Sequence, residues 1–290
     1  MSNFAIVTDS AGDLSPEMIH EAQIPVLPLG YTIEEATYAD THIDRESSCK
    51  EFYDKLCAGH TATTNAVNIT AYTETLTPLL EMGKDVLIIA FSSGLSSTYS
   101  SAMIAADMLM ESYPERKVFV SDSFAASMGQ GLLVLLAIKE RESGKSAEEV
   151  HQWVEKYKFH ICHQFTVDDL NYLKRGGRIS GVTAAIGTAL AIKPVLHLDN
   201  DGRLTSIHKV RGRKASLRTL VEKMQATAFT DIEQTIYISH GDCLSEAMYV
   251  AELVKEAFPD FELCLGNVGP VIGAHTGPSV VAVFYQGTSR

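Results

Sequence analysis

The chain has 290 residues, of which 46% are hydrophobic and 21% charged, with 20 Gly and 9 Pro. At roughly 150 residues per domain this makes two domains the first expectation, and the composition excludes disordered, collagenous and disulfide-scaffold proteins. Lys plus Arg (24) against Asp plus Glu (36) gives a formal net charge of −12, which argues against nucleic acid and anionic membranes as partners.

In chain order, the apolar run Phe4–Asp9 predicts a strand, and helical periodicity covers Ser15–Ala22, Asp44–Cys57 and Ala71–Met82. Strands follow at Asp85–Phe91 and Lys117–Ser121, with a helix over Ser97–Tyr113 between them and a second helix over Met128–Ser143 after them. Ser146 and Glu149 form a capping box that opens a helix over Ala147–Tyr157, and Gly144 is an end signal for the helix before it. Beyond that point strands are expected at His160–Val167, Pro194–Leu198, Arg203–Arg211, Thr235–His240, Glu262–Val268 and Ser279–Tyr285, with helices over Arg213–Phe229 and Leu244–Phe258.

The early strands are continuous apolar runs, as a parallel sheet covered by helices on both faces requires. The later pair Pro194–Leu198 and Arg203–Arg211, joined by Asp199-Asn200-Asp201-Gly202, reads as a hairpin in a more mixed sheet. The expected fold is therefore α/β with two domains. Residues 1–159 form an open parallel sheet flanked by helices, and residues 160–290 a mixed α/β domain.

Four segments carry candidate chemistry. Ser92-Ser93-Gly94-Leu95-Ser96-Ser97-Thr98 joins a strand to a helix, where free N–H groups and the positive helix end suit an anion; the alternative is a simple serine cap. Thr61-Ala62-Thr63-Thr64-Asn65-Ala66-Val67 is expected to be a hydroxyl-rich loop, able to bind a ligand or only to cap the helix after it. Gly273-Ala274-His275-Thr276-Gly277-Pro278 is expected to be a tight loop on which His275 and Thr276 either donate to an anion or satisfy a loop carbonyl. Tyr172-Leu173-Lys174-Arg175-Gly176-Gly177-Arg178 ends a short helical pattern in a cationic double-glycine turn. Arg178, and farther on Arg211, can pair with an anion or with protein carboxylates.

Several devices are missing. No Walker loop, full GxGxxG, HExxH or GxSxG motif occurs, and Gly129-Gln130-Gly131 is only half of a dinucleotide fingerprint. His160, Cys162 and His163 look metal-like, yet strand alternation sends Cys162 and His163 to opposite faces, so no metal is expected. The five cysteines (Cys49, Cys57, Cys162, Cys243, Cys264) are an odd count without CxxC spacing, and the opening residues show no signal-like pattern. A reduced, cytoplasmic protein is the expectation. No run reaches the ~18 apolar residues of a membrane span.

Taken in order, these segments resemble the DegV family of bacterial lipid-binding proteins over nearly the whole chain. The resemblance rests on Ile6-Val7-Thr8-Asp9-Ser10 with Asp13-Leu14, the serine turn 92–99, Asp122-Ser123 with Gly129-Gln130-Gly131, and Leu170 to Ser180. Lys193-Pro194-Val195, Val210-Arg211 and His275-Thr276-Gly277-Pro278 complete it. It implies a two-domain protein holding one long-chain fatty acid, with the carboxylate at the interdomain cleft, the tail in the C-terminal domain, and no other cofactor. It also implies a non-catalytic binding subunit that presents the carboxylate to an ATP-dependent fatty-acid kinase, which forms an acyl-phosphate for phospholipid synthesis. Carried over by position, Thr63, Thr64, Ser93, Gly94 and His275 would bind the carboxylate, with Ser92, Arg178, Arg211 and Thr276 in support. The chain departs from the family pattern at Asn65-Ala66-Val67, where a Gln-Pro-Ser continuation is usual, and at Ser97, where Gly is expected. The small-residue stretch 182–192 is a candidate for part of the tail wall, with a plain core helix as its alternative. The competing functional reading is a small-substrate acyl hydrolase or transferase with Ser93 as nucleophile and His275 as base.

Overall fold

The computed structural model describes residues 4–41, 45–178, 192–288 and 290. Of the stretch 182–192 named as candidate tail wall, all but Ile192 lies outside them. Strand β1 (Phe4–Asp9) is buried at every position, the environment its unbroken apolar run predicts. It lies in a parallel sheet with β2 (Val26–Leu27), β6 (Asp85–Ala90) and β7 (Val118–Asp122), in the order β2-β1-β6-β7. Helices α3 (Ile69–Glu81), α4 (Thr98–Ser112), α5 (Met128–Glu142) and α6 (Ala147–Tyr157) pack on that sheet. The short α1 (Pro16–Ala22) is opened by Ser15, whose hydroxyl accepts from the Met18 N–H, with Pro16 in the first turn. The Ser146–Glu149 capping box is formed on both sides at the start of α6.

The second sheet contains β8 (Ile161–Thr166), β9 (Ile192–Leu198), β10 (Leu204–Arg211), β11 (Thr235–His240), β12 (Glu262–Asn267) and β13 (Val281–Gln286). Their order is β10-β9-β8-β13-β11-β12, antiparallel except for β11 with β12. The β9–β10 turn is built on Asp199, whose carboxylate accepts from the N–H groups of Asp201 and Arg203 at 3.0 and 2.9 Å. Gly202 there has φ 68°, in the region that glycine enters without a steric penalty.

Alternation along β13 divides the interior into two cores. Val281, Val283 and Tyr285 join Leu220, Met224, Val250 and Val254 from α8 (Arg213–Thr227) and α9 (Leu244–Ala257). Ala282 and Phe284 instead point to the core shared with the parallel sheet. Cys162 and His163 are likewise sent to opposite sides of β8, Cys162 into the α8–α9 core and His163 toward the parallel sheet.

A third, three-stranded antiparallel sheet has the order β4-β3-β5, from β3 (Gly30–Ile33), β4 (Ala36–Ala39) and β5 (Ala62–Asn65). It packs, through Tyr31 and Ile33, on Phe52, Tyr53 and Leu56 of α2 (Arg45–Cys57) and on Ala274 of α10 (Pro270–Thr276). Two expectations are corrected here. Residues 62–65 are a strand rather than a loop, because pairing with β3 satisfies their backbone groups. His275 lies on a helix rather than a tight loop: Gly269 and Pro270 open it, and Gly277, at φ 74°, ends it over the ring of Tyr172. The short α7 (Asn171–Arg175) ends in Gly176-Gly177 as its pattern indicates. Among the described residues no helix is long and apolar enough to cross a membrane, and no group of three or more His, Cys, Asp or Glu is placed to hold a metal ion.

Candidate functional site

A cavity of about 190 Å³ lies between the parallel sheet and the mixed sheet. Its walls are largely apolar: Phe165 of β8, Phe284 of β13, Leu198 and Leu204 at the hairpin, and Phe91 and Ala126 beyond the parallel strands. Polar groups gather where α10, β5, the Arg178 turn and the start of α4 meet. Thr64, Ser96, Ser97, Arg178, His275 and Thr276 line the cavity there.

Thr64 Oγ1 and His275 Nε2 are hydrogen-bonded at 2.8 Å, joining the small sheet to α10. The other imidazole nitrogen, Nδ1, is buried without a partner beside Gly176, where any side chain would strike the ring. Burial, reinforced by the nearby Arg178 guanidinium, pushes the His275 pKa down to about 4, so the ring is neutral near pH 7. Arg178 donates from Nε and Nη2 to the Leu95 carbonyl at 3.1 and 2.9 Å, and from Nη1 to the Gly176 carbonyl. Among the described residues no carboxylate pairs with it. Burial lowers its pKa from the usual guanidinium value, and the group remains charged. A neutral imidazole, a hydroxyl and a guanidinium thus share one end of an apolar cavity.

The positions of α10 and of the cavity wall are coupled. Asp13 accepts from the Gly269 N–H, at the start of α10, at 3.0 Å, and from the hydroxyl of Ser127, which lines the cavity. Tyr53 donates to the Val268 carbonyl at 2.9 Å, and Gly273 leaves the space that the Tyr53 ring fills.

The remaining residues singled out from sequence are placed elsewhere. Thr63 is exposed, because consecutive residues of β5 point to opposite faces and Thr64 takes the inward one. Ser92, Ser93 and Gly94 do not line the cavity. Ser92 Oγ donates to the Gly202 carbonyl at 2.8 Å and accepts from the Gly94 N–H at 3.2 Å. The Ser93 N–H donates to the Asp122 carboxylate at 3.2 Å, and its residue is exposed. Gly94 packs so closely that a Cβ would sit 2.8 and 2.9 Å from the carbonyls of Gly202 and Asp201. This half of the serine turn clasps the β9–β10 hairpin, and its second half, Ser96-Ser97, faces the cavity. Arg211 is exposed at the end of β10 and lines no part of the cavity. Ser93 and His275 are not hydrogen-bonded, so the nucleophile–base pair of the hydrolase reading is not formed.

Ser96, Ser97, Ser127 and His163 line the cavity without having been singled out as ligand contacts. Ser96 and Ser97 lie inside the motif already noted. Ser127 carries no local signal, and His163 was visible only as an unlikely metal ligand whose strand parity could have marked it as facing inward.

Comparison with known proteins agrees with this architecture. The model of the DegV family, described as a family of uncharacterised proteins, matches residues 3–288. A DegV domain-containing protein of Clostridium perfringens is 42% identical over 290 residues, covering 100% of this chain and 99% of its own. Among solved structures, a DegV family protein from Thermus thermophilus, described for its fatty acid binding, superposes with a TM-score of 0.87 at 30% identity, covering 98% of this chain and 99% of that one. DegV of Bacillus subtilis, described as a fatty acid binding protein, gives a TM-score of 0.86 at 30% identity over 99% of this chain and 100% of that one.

Proposed function

The chain belongs to the DegV family, and from that premise we propose that it binds one long-chain fatty acid in the cavity between its sheets and presents the carboxylate to a partner kinase. The observation that carries this reading is the Arg178 guanidinium, without a carboxylate partner among the described residues, beside Thr64 and His275 at one end of an otherwise apolar cavity. The guanidinium is half-buried and bonded to backbone carbonyls rather than to a carboxylate among the described residues, so its positive charge is available to an anionic head group. Burial of a sixteen-carbon tail at about 0.8 kcal/mol per methylene offers roughly 12 kcal/mol gross, before association and ordering costs are subtracted. Solved relatives described as fatty-acid-binding proteins, at 30% identity over nearly the whole chain, support the same ligand class.

In this reading Thr64 and His275 hold the carboxylate, Arg178 supplies the positive field, and Ser96 and Thr276 complete the polar rim. Residues 1–159 and 160–290 are the two units between which the ligand sits, a division that follows strand membership of the two large sheets. The protein itself performs no chemistry. In the partner's active site one carboxylate oxygen would attack the terminal phosphorus of ATP, giving the acyl-phosphate and ADP. Support for the kinase partner comes from the family resemblance of the motifs. What speaks against a hydrolase is the separate placing of Ser93 on Asp122 and of His275 on Thr64.

Denaturing extraction of the purified protein followed by mass spectrometry tests the reading. About one equivalent of long-chain fatty acid per chain is the expected result. Protein that carries none, and whose melting temperature does not change on adding fatty acid, would refute it.

A further inference from the structure

His163 is a polar residue on the cavity wall that carboxylate binding leaves unused. Its strand, β8, runs on toward α7 and Arg178, and β13 starts shortly after α10 and His275. The opposed residues His163 and Phe284 therefore lie farther along the sheet from the head-group cluster than the opposed pair Phe165 and Ala282. All four line the cavity, on one face of the sheet. His163 is 1% exposed, and neither Nδ1 nor Nε2 makes a well-formed hydrogen bond, the Ile161 backbone alone lying near enough among the described residues to act weakly on the ring. Phe284 meets it edge to face, with 5.6 Å between ring centres. The Nε2–Cδ2 edge rests against Gly129 of α5, where any side chain would collide with the ring, and Nδ1 is the opposite vertex. Burial, with Arg290 adding to it, pushes the pKa well below the usual imidazole range. The ring is therefore neutral, with one N–H donor and one acceptor nitrogen. An unmatched buried donor and acceptor are unfavourable, and a plain hydrocarbon tail matches neither.

We propose that the cavity is built for an acyl chain bearing a hydroxyl group on its tail, removed from its carboxylate, and that His163 selects this hydroxyl by a hydrogen bond. The proposal rests on the reading of the cavity as a long-chain fatty-acid site and names the class of acid it prefers. A hydroxyl both donates and accepts, so it matches a neutral imidazole in either tautomer. A site that hydrogen-bonds a hydroxyl rejects the analogue that lacks it, because the buried polar group is then left unpaired.

The test titrates delipidated full-length protein with octadecanoic acid and with hydroxyoctadecanoic acids substituted at successive positions along the tail. At least one isomer is expected to bind about tenfold more tightly than octadecanoic acid, and His163→Phe to abolish that preference while still binding octadecanoic acid. Octadecanoic acid binding as tightly as every isomer overturns the proposal, and so does a preference that survives in His163→Phe. If that variant does not fold, nitrogen NMR of the wild-type imidazole decides. The preferred hydroxy acid must move a His163 ring nitrogen to the hydrogen-bonded range where octadecanoic acid does not, and identical spectra overturn the proposal. Failure of octadecanoic acid and of all its hydroxy derivatives to bind is a separate result, which removes the fatty-acid reading itself.

Discussion

Thr64 and His275 stand 211 positions apart in the chain and share a 2.8 Å hydrogen bond at the polar end of the cavity. The bond joins a three-stranded sheet near the N-terminus to a seven-residue helix near the C-terminus. It brings a hydroxyl and a neutral imidazole to one place, beside a guanidinium held by the Leu95 carbonyl. Each lies in a segment that stands out in the sequence, but only their meeting defines the head-group end.

Thr64→Val and His275→Ala are each expected to weaken fatty-acid binding about ten- to a hundredfold, the range for a lost hydrogen bond to a charged group of about 1.5–3 kcal/mol. Ser93→Ala, whose side chain is exposed and lines no part of the cavity, is expected to bind within about twofold of wild type. Isothermal titration with one fatty acid measures all three. A large loss in Ser93→Ala with none in His275→Ala would reverse the assignment.

Arg178→Met removes the cation and keeps much of the apolar stem. Its affinity for a long-chain carboxylic acid should fall, while affinity for the alcohol of equal chain length should hold or rise, because only the acid gains from the positive field. Parallel titrations of the acid and the alcohol check this. Equal losses for both would mean that Arg178 acts through packing alone.

Gly94→Ala places a methyl group 2.8 and 2.9 Å from two backbone carbonyls of the β9–β10 hairpin, which cannot step aside as a flexible side chain would. The expected result is a loss of about 1–3 kcal/mol of stability, read as a lower melting temperature, together with faster amide exchange in residues 199–203. Unchanged exchange there would show that the serine turn does not hold the hairpin.

Acid should destabilise the fold between about pH 6.5 and 4. Burial, with Arg178 adding to it, lowers the His275 pKa to about 4, and burial, with Arg290 adding to it, takes His163 well below its ordinary value. In this interval the unfolded chain therefore binds more protons than the folded one, and stability rises with pH. Asp9 works the other way: burial raises its carboxyl to about 6, so its contribution falls as pH rises from 4 to 6. Burial also lowers the pKa of His151, His197 and His240, and five histidines against the one raised carboxyl leave a net rise. Each proton is worth about 1.4 kcal/mol per pH unit, and His163→Phe should flatten the slope by close to one proton in urea titrations at several pH values. A slope identical to wild type would show that His163 is not held neutral by the fold.

Much of the architecture is legible locally. The unbroken apolar runs of β1 and β6 specify buried parallel strands, Asp199 to Gly202 specify a hairpin, and Ser146 with Glu149 specify a helix start, since each depends on residues a few positions apart. The small sheet is not legible in that way. Its strands are four residues long and rich in alanine and threonine, and they are stabilised by pairing with one another and by packing on α2 and α10. For the same reason residues 62–65 and 270–276 look like loops in isolation. Gly129 shows the limit well: half of a familiar nucleotide signature by pattern, it is in fact the space into which the His163 ring packs.

By itself, the sequence determined the α/β class, the order of most strands and helices, and the segments from which the site is drawn, because periodicity, caps and turn residues act over short distances. Only the tertiary structure decided which side chains of those segments face the cavity. Thr64 points in while Thr63 points out, Ser96 lines the wall while Ser92 clasps a hairpin, and Arg178 lines the cavity while Arg211 stays exposed on β10. Those directions are set by strand pairing and by contacts between elements far apart in the chain, from the 83 positions between Arg178 and Leu95 to the 211 between Thr64 and His275, which no local pattern encodes.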